Sequence, residues 1–337
     1  MSQLVELQEA TSRLAEAGIK LYAISYDELG ALEDFAAHHG ITYDLLSDAG
    51  SHVIREFGIL NHHVSAEQVP FHGIPFPGTY LVDAEGNVAA KSFNAGLTQR
   101  IGADGLIDAA LGEILLRPEE PSAGLTGDAG IEFSMAYHGG GGVIRSGALR
   151  TLVIRVDLPD GLHIYDQPVP DGMVATTFTL VAPEGMRHLP VEAPPTEPLE
   201  LPGVGELRVW SGRVDFSMPV WATDEITSLV RDDAPEQVTI EVEVAYQACD
   251  DQACRLPRRE RLALEVLVRR HVGPALDTMP GAEATGMDTN KWLGAMVARG
   301  LDAADDRDAA VAYLARTAAS IADGPGRTRP DSSDASA

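Results

Sequence analysis

Two cysteines, Cys249 and Cys254, carry the clearest chemical signal in this 337-residue chain, which contains no others. They lie in the run YQACDDQACRLP over residues 246–257, where a strand-like segment ends. Thiols at this separation can close a disulfide across a turn with little backbone movement, and a thiolate of another protein can open it. The pair therefore predicts thiol–disulfide exchange. The alternative is an inert disulfide, or two reduced buried thiols.

Charged residues of both signs surround the pair. Asp250 and Asp251, between the cysteines, should oppose thiolate formation, whereas Arg255, Arg258 and Arg259 should favour it. The sequence contains no distances, so the net effect stays open.

The composition limits the classes of function. A length of 337 residues fits about two domains, and 45% hydrophobic residues can fill packed cores. The formal net charge of −26 argues against nucleic acid or an anionic membrane surface as partner. No apolar run is long enough to span a bilayer, and the N-terminal residues form an acidic amphipathic pattern instead of a signal peptide. As written, the chain is expected to be cytoplasmic.

Helical and strand patterns alternate up to residue 117. They predict helices over 2–17, 27–40, 51–57 and 104–116, a strand over 21–26, and a hairpin of strands 78–83 and 88–93. This order predicts an α/β domain over residues 1–117. The Pro- and Gly-containing residues 118–130 predict a linker.

The pattern changes after the linker. Over residues 131–270, β-branched runs separated by Pro and Gly predict an all-β sandwich. Residues 271–322 contain helical patterns and predict a C-terminal helical segment. The Ser-, Asp- and Gly-rich residues 323–337 predict a disordered tail.

Three runs of the first domain resemble the peroxiredoxin and alkyl-hydroperoxide-reductase (AhpC/TSA) branch of the thioredoxin-like proteins. They are LYAISYD over 21–27, YDLLSD over 43–48 and FPGTYLVDAEG over 76–86. The resemblance covers about residues 2–116 and implies a sheet with helices on both faces. It also places Pro77 and Thr79 in the region where the family carries a cis-proline beside its active site, although Gly78 intervenes.

The first domain lacks the family's reactive cysteine. In the family, this cysteine precedes the helix that residues 2–17 resemble, and the helix N-terminus favours its thiolate. Residues 1–130 contain no cysteine. We therefore expect an incomplete N-terminus, with the missing central strand, one or two cysteines and an export signal upstream of Met1. Such a longer product would be periplasmic or otherwise extracytoplasmic. The alternative is an interaction domain that has lost its chemistry.

Two runs of the second domain resemble the N-terminal domain of the thiol:disulfide interchange protein DsbD, a disulfide-corrector domain. They are GLHIYDQ over 161–167 and VAYQACDDQACRLP over 244–257. The resemblance covers about residues 125–270. It implies an immunoglobulin-like sandwich that accepts electrons from a thioredoxin-like module and passes them to partner proteins.

The same resemblance assigns the site residues. Cys249 and Cys254 are the redox pair, and Tyr165 and His163 come from the strand that shelters it. Trp210, in a run that resembles the family's cap loop, is the aromatic shield. The implied partner is a thioredoxin-like redox protein, and no cofactor is expected.

Two other motifs are assigned no chemical role. Gly139–Gly142 lacks the lysine, serine and helix that follow a phosphate-binding loop, and it predicts a turn. No cysteine or spaced carboxylate completes a metal site with the histidines, which are His38, His39, His62, His63 and His72. We expect solvated loop histidines and no metal.

The predicted protein has an α/β thioredoxin-like domain that is incomplete at its N-terminus, an all-β immunoglobulin-like sandwich and C-terminal helices. Its predicted function is thiol–disulfide exchange in an antioxidant or disulfide-reductase pathway, through a mixed disulfide formed by the Cys249–Cys254 pair. The second interpretation is a non-catalytic interaction or scaffold protein with a structural disulfide. A reduction potential separates the two, because structural disulfides fall below about −300 mV.

Overall fold

The structure is a computed structural model that describes residues 2–69, 71–93, 100–145, 147–201, 203, 205–227, 235–250, 252–269 and 289–322. The predicted tail over 323–337, residues 271–288 of the predicted helical segment, and Asp251 lie outside the described residues. No helix in the described ranges combines the length and the apolar character needed to cross a bilayer.

Eight α-helices and eighteen strands are described. The helices are α1 (Ser2–Glu9), α2 (Thr11–Glu16), α3 (Leu29–His39), α4 (His52–Glu56), α5 (Ala103–Leu111), α6 (Asp224–Thr227), α7 (Thr289–Ala303) and α8 (Arg307–Ala322). The strands are β1 (Tyr22–Ser25), β2 (Asp44–Ser47), β3 (Gly78–Val82), β4 (Val88–Phe93), β5 (Arg100–Ile101), β6 (Ser122–Thr126), β7 (Glu132–His138), β8 (Val143–Ile144), β9 (Ala148–Asp157), β10 (His163–Tyr165), β11 (Thr177–Val181), β12 (Met186–His188), β13 (Glu197–Leu201), β14 (Gly205–Ser211), β15 (Arg213–Ala222), β16 (Gln237–Tyr246), β17 (Ala248–Cys249) and β18 (Arg258–Val268).

The chain groups into two compact units, one with residues 1–21 and 77–284 and the other with residues 22–76 and 285–337. In the second unit, β1 and β2 form a parallel pair joined through α3, which ends at Gly40 in the left-handed conformation (φ 64°). Arg299 of α7 pairs with Glu28 at 3.1 Å and lies 5.2 Å from the centre of the Tyr26 ring. The predicted C-terminal helices α7 and α8 are therefore formed, and α7 packs beside β1.

In the first unit, β3 and β4 form the predicted antiparallel hairpin, and the Asp83 carboxylate accepts hydrogen bonds from the turn amides of Glu85 and Asn87. Like the β1–β2 pair, it is a sheet of two strands. The single thioredoxin-like sheet over residues 1–117 stays a prediction. The predicted helix over 2–17 is divided into α1 and α2 at Ala10, whose backbone departs from helical geometry (φ −102°, ψ 4°), and the Thr11 hydroxyl donates to the Gln8 carbonyl at this junction.

Two sheets pack face to face in the first unit and form the predicted β-sandwich. One has the strand order β12-β15-β9-β7-β6, and the other has the order β11-β16-β18-β8. Their facing side chains share one buried core, with Ile154 and Phe216 from the first sheet and Ile240 and Leu264 from the second. Alternate side chains of a strand point to opposite faces, so the glutamates of β16 face outward while its valines fill this core. The sandwich is confirmed.

A third sheet, with the order β13-β14-β10-β17, adjoins this sandwich and carries Cys249 on its edge strand. The sandwich supplies its support, because β14 continues through a turn at Gly212 into β15. The position of the cysteine pair therefore depends on the packing of the sandwich core.

A buried ion pair joins α1 to β9 in the first unit. Arg150 is 2% exposed, and its Nη1 and Nη2 atoms donate to the two Glu6 carboxylate oxygens at 3.0 and 2.7 Å. The Glu6 carboxylate also accepts from the Ala103 amide at the start of α5. Helices α1 and α5 are thus both attached, through Glu6, to the Arg150 side chain of β9.

Asp104 extends this ionic cluster. Its carboxylate pairs with Arg13 of α2 and with Arg117, and it accepts from the Gly140 amide at 2.8 Å. Burial opposes ionisation of Asp104, but the Arg13 and Gly140 hydrogen bonds outweigh it and lower the pKa of the carboxyl. The predicted glycine turn is confirmed, and all four residues of Gly139–Gly142 have positive φ, which aims its amides at buried carboxylates.

His138 ends β7 between two carboxylates. Its Nδ1 lies 3.0 Å from Glu120 Oε1, and its Nε2 lies 2.8 Å from Asp108 Oδ2. Burial alone would lower the pKa of His138, but hydrogen bonds to Asp108 and Glu120 prevail and raise the pKa from 6.5 to about 9. His138 is therefore held as an imidazolium at neutral pH.

We expect Arg150→Met to lower the free energy of unfolding by about 3–5 kcal/mol, because Glu6 then keeps a buried charge without its cation. Glu6→Leu/Arg150→Met should recover most of that loss, since an apolar pair leaves no unpaired charge. Arg155→Met is the control on the same strand, because Arg155 pairs with Asp215 at a more exposed site, and it should cost less than about 1 kcal/mol. Denaturant unfolding measures all three, and a full-stability Arg150→Met protein would contradict the expectation.

We expect the stability to fall as the pH rises through the titration of His138. Because the folded pKa is raised from 6.5 to about 9, the contribution is complete below about pH 6.5 and is lost as the pH passes about 9. The loss is on the order of 3 kcal/mol at most. His138→Gln should be less stable at about pH 6 and show a flatter dependence up to about pH 9.5. Denaturant unfolding at several pH values measures the free energy of unfolding of the wild type and of His138→Gln. The same change of this free energy with pH in both proteins would contradict the expectation.

Candidate functional site

Strand β10 forms the centre of the site. It pairs antiparallel with β14 on one side and with β17 on the other. His163 lies opposite Ser211 and Cys249, and Ile164 lies opposite Trp210 and Ala248. The register therefore places the His163 side chain on the same face of the sheet as Cys249.

The two faces of this sheet have different surroundings. Ile164, Trp210 and Ala248 belong to the main core of the sandwich. On the other face, Tyr165 and Cys249 form a separate buried cluster with two apolar residues of β14, which are Leu207 and Val209. The first face anchors the sheet, and the second surrounds the buried sulfur with apolar side chains.

Cys249 and Cys254 form a disulfide, with an S–S distance of 2.05 Å and a Cα–Cα distance of 4.1 Å. The turn between them is closed by Asp250, whose carboxylate accepts from the Gln252 and Ala253 amides at 2.9 and 2.8 Å. These hydrogen bonds lower the pKa of the Asp250 carboxyl. The Asp250 charge is thus engaged by the turn itself.

Gln247 braces the hairpin from within. Its side chain is buried, its oxygen accepts from the Val174 amide at 3.0 Å, and its nitrogen donates to the Arg255 carbonyl at 2.9 Å. The Arg255 amide also donates to the Ala248 carbonyl at 2.9 Å. The two arms of the hairpin are therefore joined by hydrogen bonds that do not need the disulfide.

The two sulfurs have unequal access to solvent. Cys249 is 1% exposed, whereas Cys254 is exposed together with the residues that follow it, among which Leu256 is 76% exposed. Cys254 is therefore the cysteine of the pair that another molecule can approach. The Cys249 sulfur is covered by the cluster around Tyr165.

Tyr165 contacts the Cys254 end of the disulfide, and His163 in turn contacts Tyr165. The Tyr165 hydroxyl lies 3.8 Å from Cys254 Sγ and 2.9 Å from His163 Nε2. The two rings meet edge to face, with centroids 5.2 Å apart. Burial raises the pKa of the Tyr165 hydroxyl, so the phenol stays protonated near neutral pH. The structure thus brings together four of the predicted site residues.

Trp210 does not reach the disulfide. It lies on β14, where the sequence predicts a cap loop, and its alternation directs it to the face opposite Cys249. Its ring packs edge-on against Phe216 at 5.0 Å, and its Nε1 donates to the Pro194 carbonyl at 3.0 Å. The shielding side chains of the buried sulfur come instead from Tyr165 and its apolar neighbours.

The predicted cis-proline region is also elsewhere than the disulfide hairpin. Pro77 directly precedes β3, and Thr79 lies opposite Ser92 in the β3–β4 hairpin. The peptide bond before Pro77 is trans, and among the described residues the cis bond lies between Gln167 and Pro168. The bond before Pro77 is therefore not cis in this structure, and the place of Pro77 and Thr79 beside a redoxin active site stays a prediction.

The arginines near the pair are partly engaged. Arg259 pairs with Glu243 at 3.1 Å, and Arg258 lies 3.9 Å from Asp128.

In the described parts of the chain, no set of histidine, cysteine and carboxylate side chains is arranged to hold a metal ion.

Sequence reasoning missed the bracing role of Gln247 and the exposure of Leu256. Gln247 stands directly before Ala248 and Cys249 in the cysteine motif, but its two long-range hydrogen bonds depend on the fold. Leu256 carries a local signal, because an apolar residue stands between Arg255 and Pro257 in a turn segment.

Comparisons with known protein families match two separate regions of the chain. Residues 1–91 match the AhpC/TSA family model, and residues 143–265 match the model described as thiol:disulfide interchange protein DsbD, N-terminal. Among curated proteins, none matches significantly.

Two solved structures are similar to the chain. The N-terminal periplasmic domain of ScsB from Proteus mirabilis is 13% identical, with a TM-score of 0.32, over 43% of this chain and 51% of that one. The reduced DsbD N-terminal domain from Neisseria meningitidis is 13% identical, with a TM-score of 0.23, over 45% and 91%. The chain thus spans about half the length of the ScsB structure. The resemblance found in the sequence is confirmed by the family models: residues 1–91 match the AhpC/TSA redoxin family, and residues 143–265 match the DsbD N-terminal family.

Proposed function

We propose that this chain is a thiol:disulfide oxidoreductase whose Cys249–Cys254 pair cycles between disulfide and dithiol. The observation that carries the proposal is the unequal access to the two sulfurs in a closed disulfide, one buried and one exposed. One exposed and one buried cysteine direct the attack of a partner thiolate to a defined position, because the rate of exchange depends on access to the attacked sulfur. Both matched families support thiol–disulfide exchange as the class of chemistry.

The proposed domain organisation follows the sequence. Residues 1–117 form a thioredoxin-like redoxin domain. The predicted linker over 118–130 is shorter than the sequence indicated, because residues 122–126 are strand β6 of the sandwich, so the proposed immunoglobulin-like domain of the DsbD N-terminal type begins before residue 131 and extends to about 270. The helical segment proposed over 271–322 contains α7 and α8, and the tail proposed over 323–337 lies outside the described residues. The proposed partner is a thioredoxin-like protein with a reactive dithiol, in a disulfide-reductase or antioxidant pathway.

The reaction begins with attack of a partner thiolate on Cys254 Sγ. A bond forms between the partner sulfur and Cys254, the Cys249–Cys254 bond breaks, and its electron pair stays on Cys249 Sγ, which takes up a proton. The partner's second thiolate then attacks its own sulfur in the mixed disulfide and releases Cys254. The partner leaves as a disulfide, and the chain keeps two electrons as a dithiol. Transfer to an oxidised acceptor reverses these steps.

The bracing of the hairpin favours this proposal over a structural disulfide. The Gln247 and Arg255 hydrogen bonds hold the two arms together whether the S–S bond is closed or open. Opening the disulfide therefore leaves Cys249 and Cys254 near each other, ready to close again. A disulfide whose only role is to brace would duplicate contacts that the hairpin already has.

The segment after Cys254 offers a docking surface for the partner. Leu256 is exposed beside Arg255, and Arg258 and Arg259 follow, in a chain whose net charge is −26. Apolar and arginine side chains are enriched at the centres of protein interfaces. The fitting partner presents an apolar groove with carboxylates at its rim beside its thiol.

We expect the two single-cysteine variants to differ in reactivity. In Cys249→Ser the remaining thiol is exposed, whereas in Cys254→Ser it is buried, so the first should react with an aromatic disulfide at least about tenfold faster. After Cys254 has been activated by the aromatic disulfide, Cys249→Ser should also form a stable mixed disulfide with a thioredoxin-type protein that lacks its second cysteine, because the partner thiolate displaces the aromatic thiolate. Reaction kinetics and non-reducing electrophoresis measure the two effects. Equal rates, or a wild-type reduction potential below about −300 mV, would contradict the proposal.

We expect Leu256→Glu to slow reduction by a thioredoxin-type protein by about fivefold or more, because it removes the apolar contact and adds charge repulsion. Reduction by dithiothreitol should be unchanged, since a small thiol needs no docking surface. Leu267→Glu is the control, because Leu267 is also exposed but lies at the far end of β18. Equal effects of the two substitutions with the protein reductant would show that the Leu256 segment is not the docking surface.

A further inference from the structure

We propose that Tyr165 and His163 form a proton relay for Cys254, in which the Tyr165 hydroxyl passes protons between Cys254 Sγ and His163 Nε2. The inference rests on the proposed exchange function. It adds a role for the two side chains beyond covering the disulfide. In this relay Tyr165 touches the reacting sulfur, and His163 acts through Tyr165 as a positioning residue and proton store.

The contacts follow one line from the sulfur to the imidazole. Cys254 Sγ lies 3.8 Å from the Tyr165 hydroxyl, which lies 2.9 Å from His163 Nε2. His163 and Tyr165 are two residues apart on β10, so both project from the same face. Both side chains are buried, whereas Cys254 is exposed. The relay therefore connects a solvent-facing sulfur to a sheltered base.

Exchange requires proton movement at Cys254. When the reduced chain passes electrons on, the Cys254 thiol must become a thiolate before it attacks a disulfide. Its proton passes to the Tyr165 oxygen as the Tyr165 proton passes to His163 Nε2, which yields an imidazolium. When Cys254 is released from a mixed disulfide, the same protons return in the opposite direction. No atom or electron beyond those of the exchange reaction is needed.

Tyrosine alone cannot serve as the proton acceptor. Burial raises the pKa of Tyr165, so a tyrosinate is not sustained near neutral pH. A hydroxyl that gains a proton from the thiol must therefore give its own to another base. Imidazole titrates near pH 6.5 in the absence of perturbation and can both accept and return a proton at neutral pH.

Charged groups lie near His163. The Asp250 carboxylate, directly after β17, interacts with His163, and this interaction adds to the turn hydrogen bonds that lower the pKa of Asp250. Arg255 also acts on Asp250 from the far arm of the hairpin. From β14, Ser211 lies opposite His163, and its hydroxyl donates to Glu197 of β13 at 3.2 Å. The Asp250 carboxylate can thus compensate a positive charge that forms on His163 when the proton arrives.

The test uses the full chain after reduction and removal of the reductant. The rate of its reaction with oxidised glutathione is followed as a function of pH for the wild type, His163→Gln, Tyr165→Phe and the double variant. His163→Gln keeps a hydrogen-bonding side chain that cannot take up the proton, and Tyr165→Phe keeps the ring. His188→Gln is the matched control, because His188 is an exposed histidine on β12 of another sheet.

We expect each single variant to react about tenfold more slowly near neutral pH and to show a pH profile that differs from that of the wild type. The double variant should be no slower than either single variant, since both steps belong to one relay. His188→Gln should match the wild type. Circular dichroism and closure of the disulfide on reoxidation verify that each variant is folded.

The outcomes separate the relay from the proposed function. If the wild type exchanges but His163→Gln retains its rate and its pH profile, the relay is overturned and the exchange function stands. Additive losses in the double variant would also overturn the relay, because they indicate independent packing effects. A wild type that does not exchange with glutathione or with a thioredoxin-type protein overturns the proposed function and the relay with it.

Discussion

The register of β10 between β14 and β17 is the constraint on which the site depends. It is set by the burial of Ile164, Trp210 and Ala248 in the sandwich core, on one face of the sheet. A slip of one residue would turn these side chains outward and bring Tyr165 and His163 inward. The apolar packing of the core therefore decides which side chains meet the disulfide, although none of the core residues takes part in the chemistry.

The hairpin that follows β17 places the two cysteines of the disulfide in different environments. One cysteine belongs to a strand of the buried sheet and the other to an exposed turn, so the same covalent bond has a protected end and a reachable end. Hydrogen bonds of Gln247 and Asp250 join the arms and the turn in addition to the S–S bond. Such a frame suits a pair that opens and closes, because the loss of the covalent link does not release the two arms.

The buried ionic cluster has a different role in the same unit. It joins α1, α2 and α5 to strand β9 and the glycine turn of the sandwich through Glu6, Asp104 and Arg150. Of these helices, α1 and α2 lie in the region that matches the AhpC/TSA model. Buried charges are costly when unpaired, so this attachment holds only when every partner is present. The glycine turn contributes two amides to it, at Gly139 and Gly140.

The sequence by itself determined the local elements and the chemical class. Alternation and helical spacing are local, so the hairpin of β3 and β4, the strands of the sandwich, the glycine turn and the cysteine motif could all be predicted. The tertiary structure alone decided that Trp210 faces the core, that Cys254 is the exposed sulfur, and that Arg150 pairs with Glu6 across 144 positions. These outcomes depend on strand register and on contacts between distant residues, and neither is encoded in the pattern of any single segment.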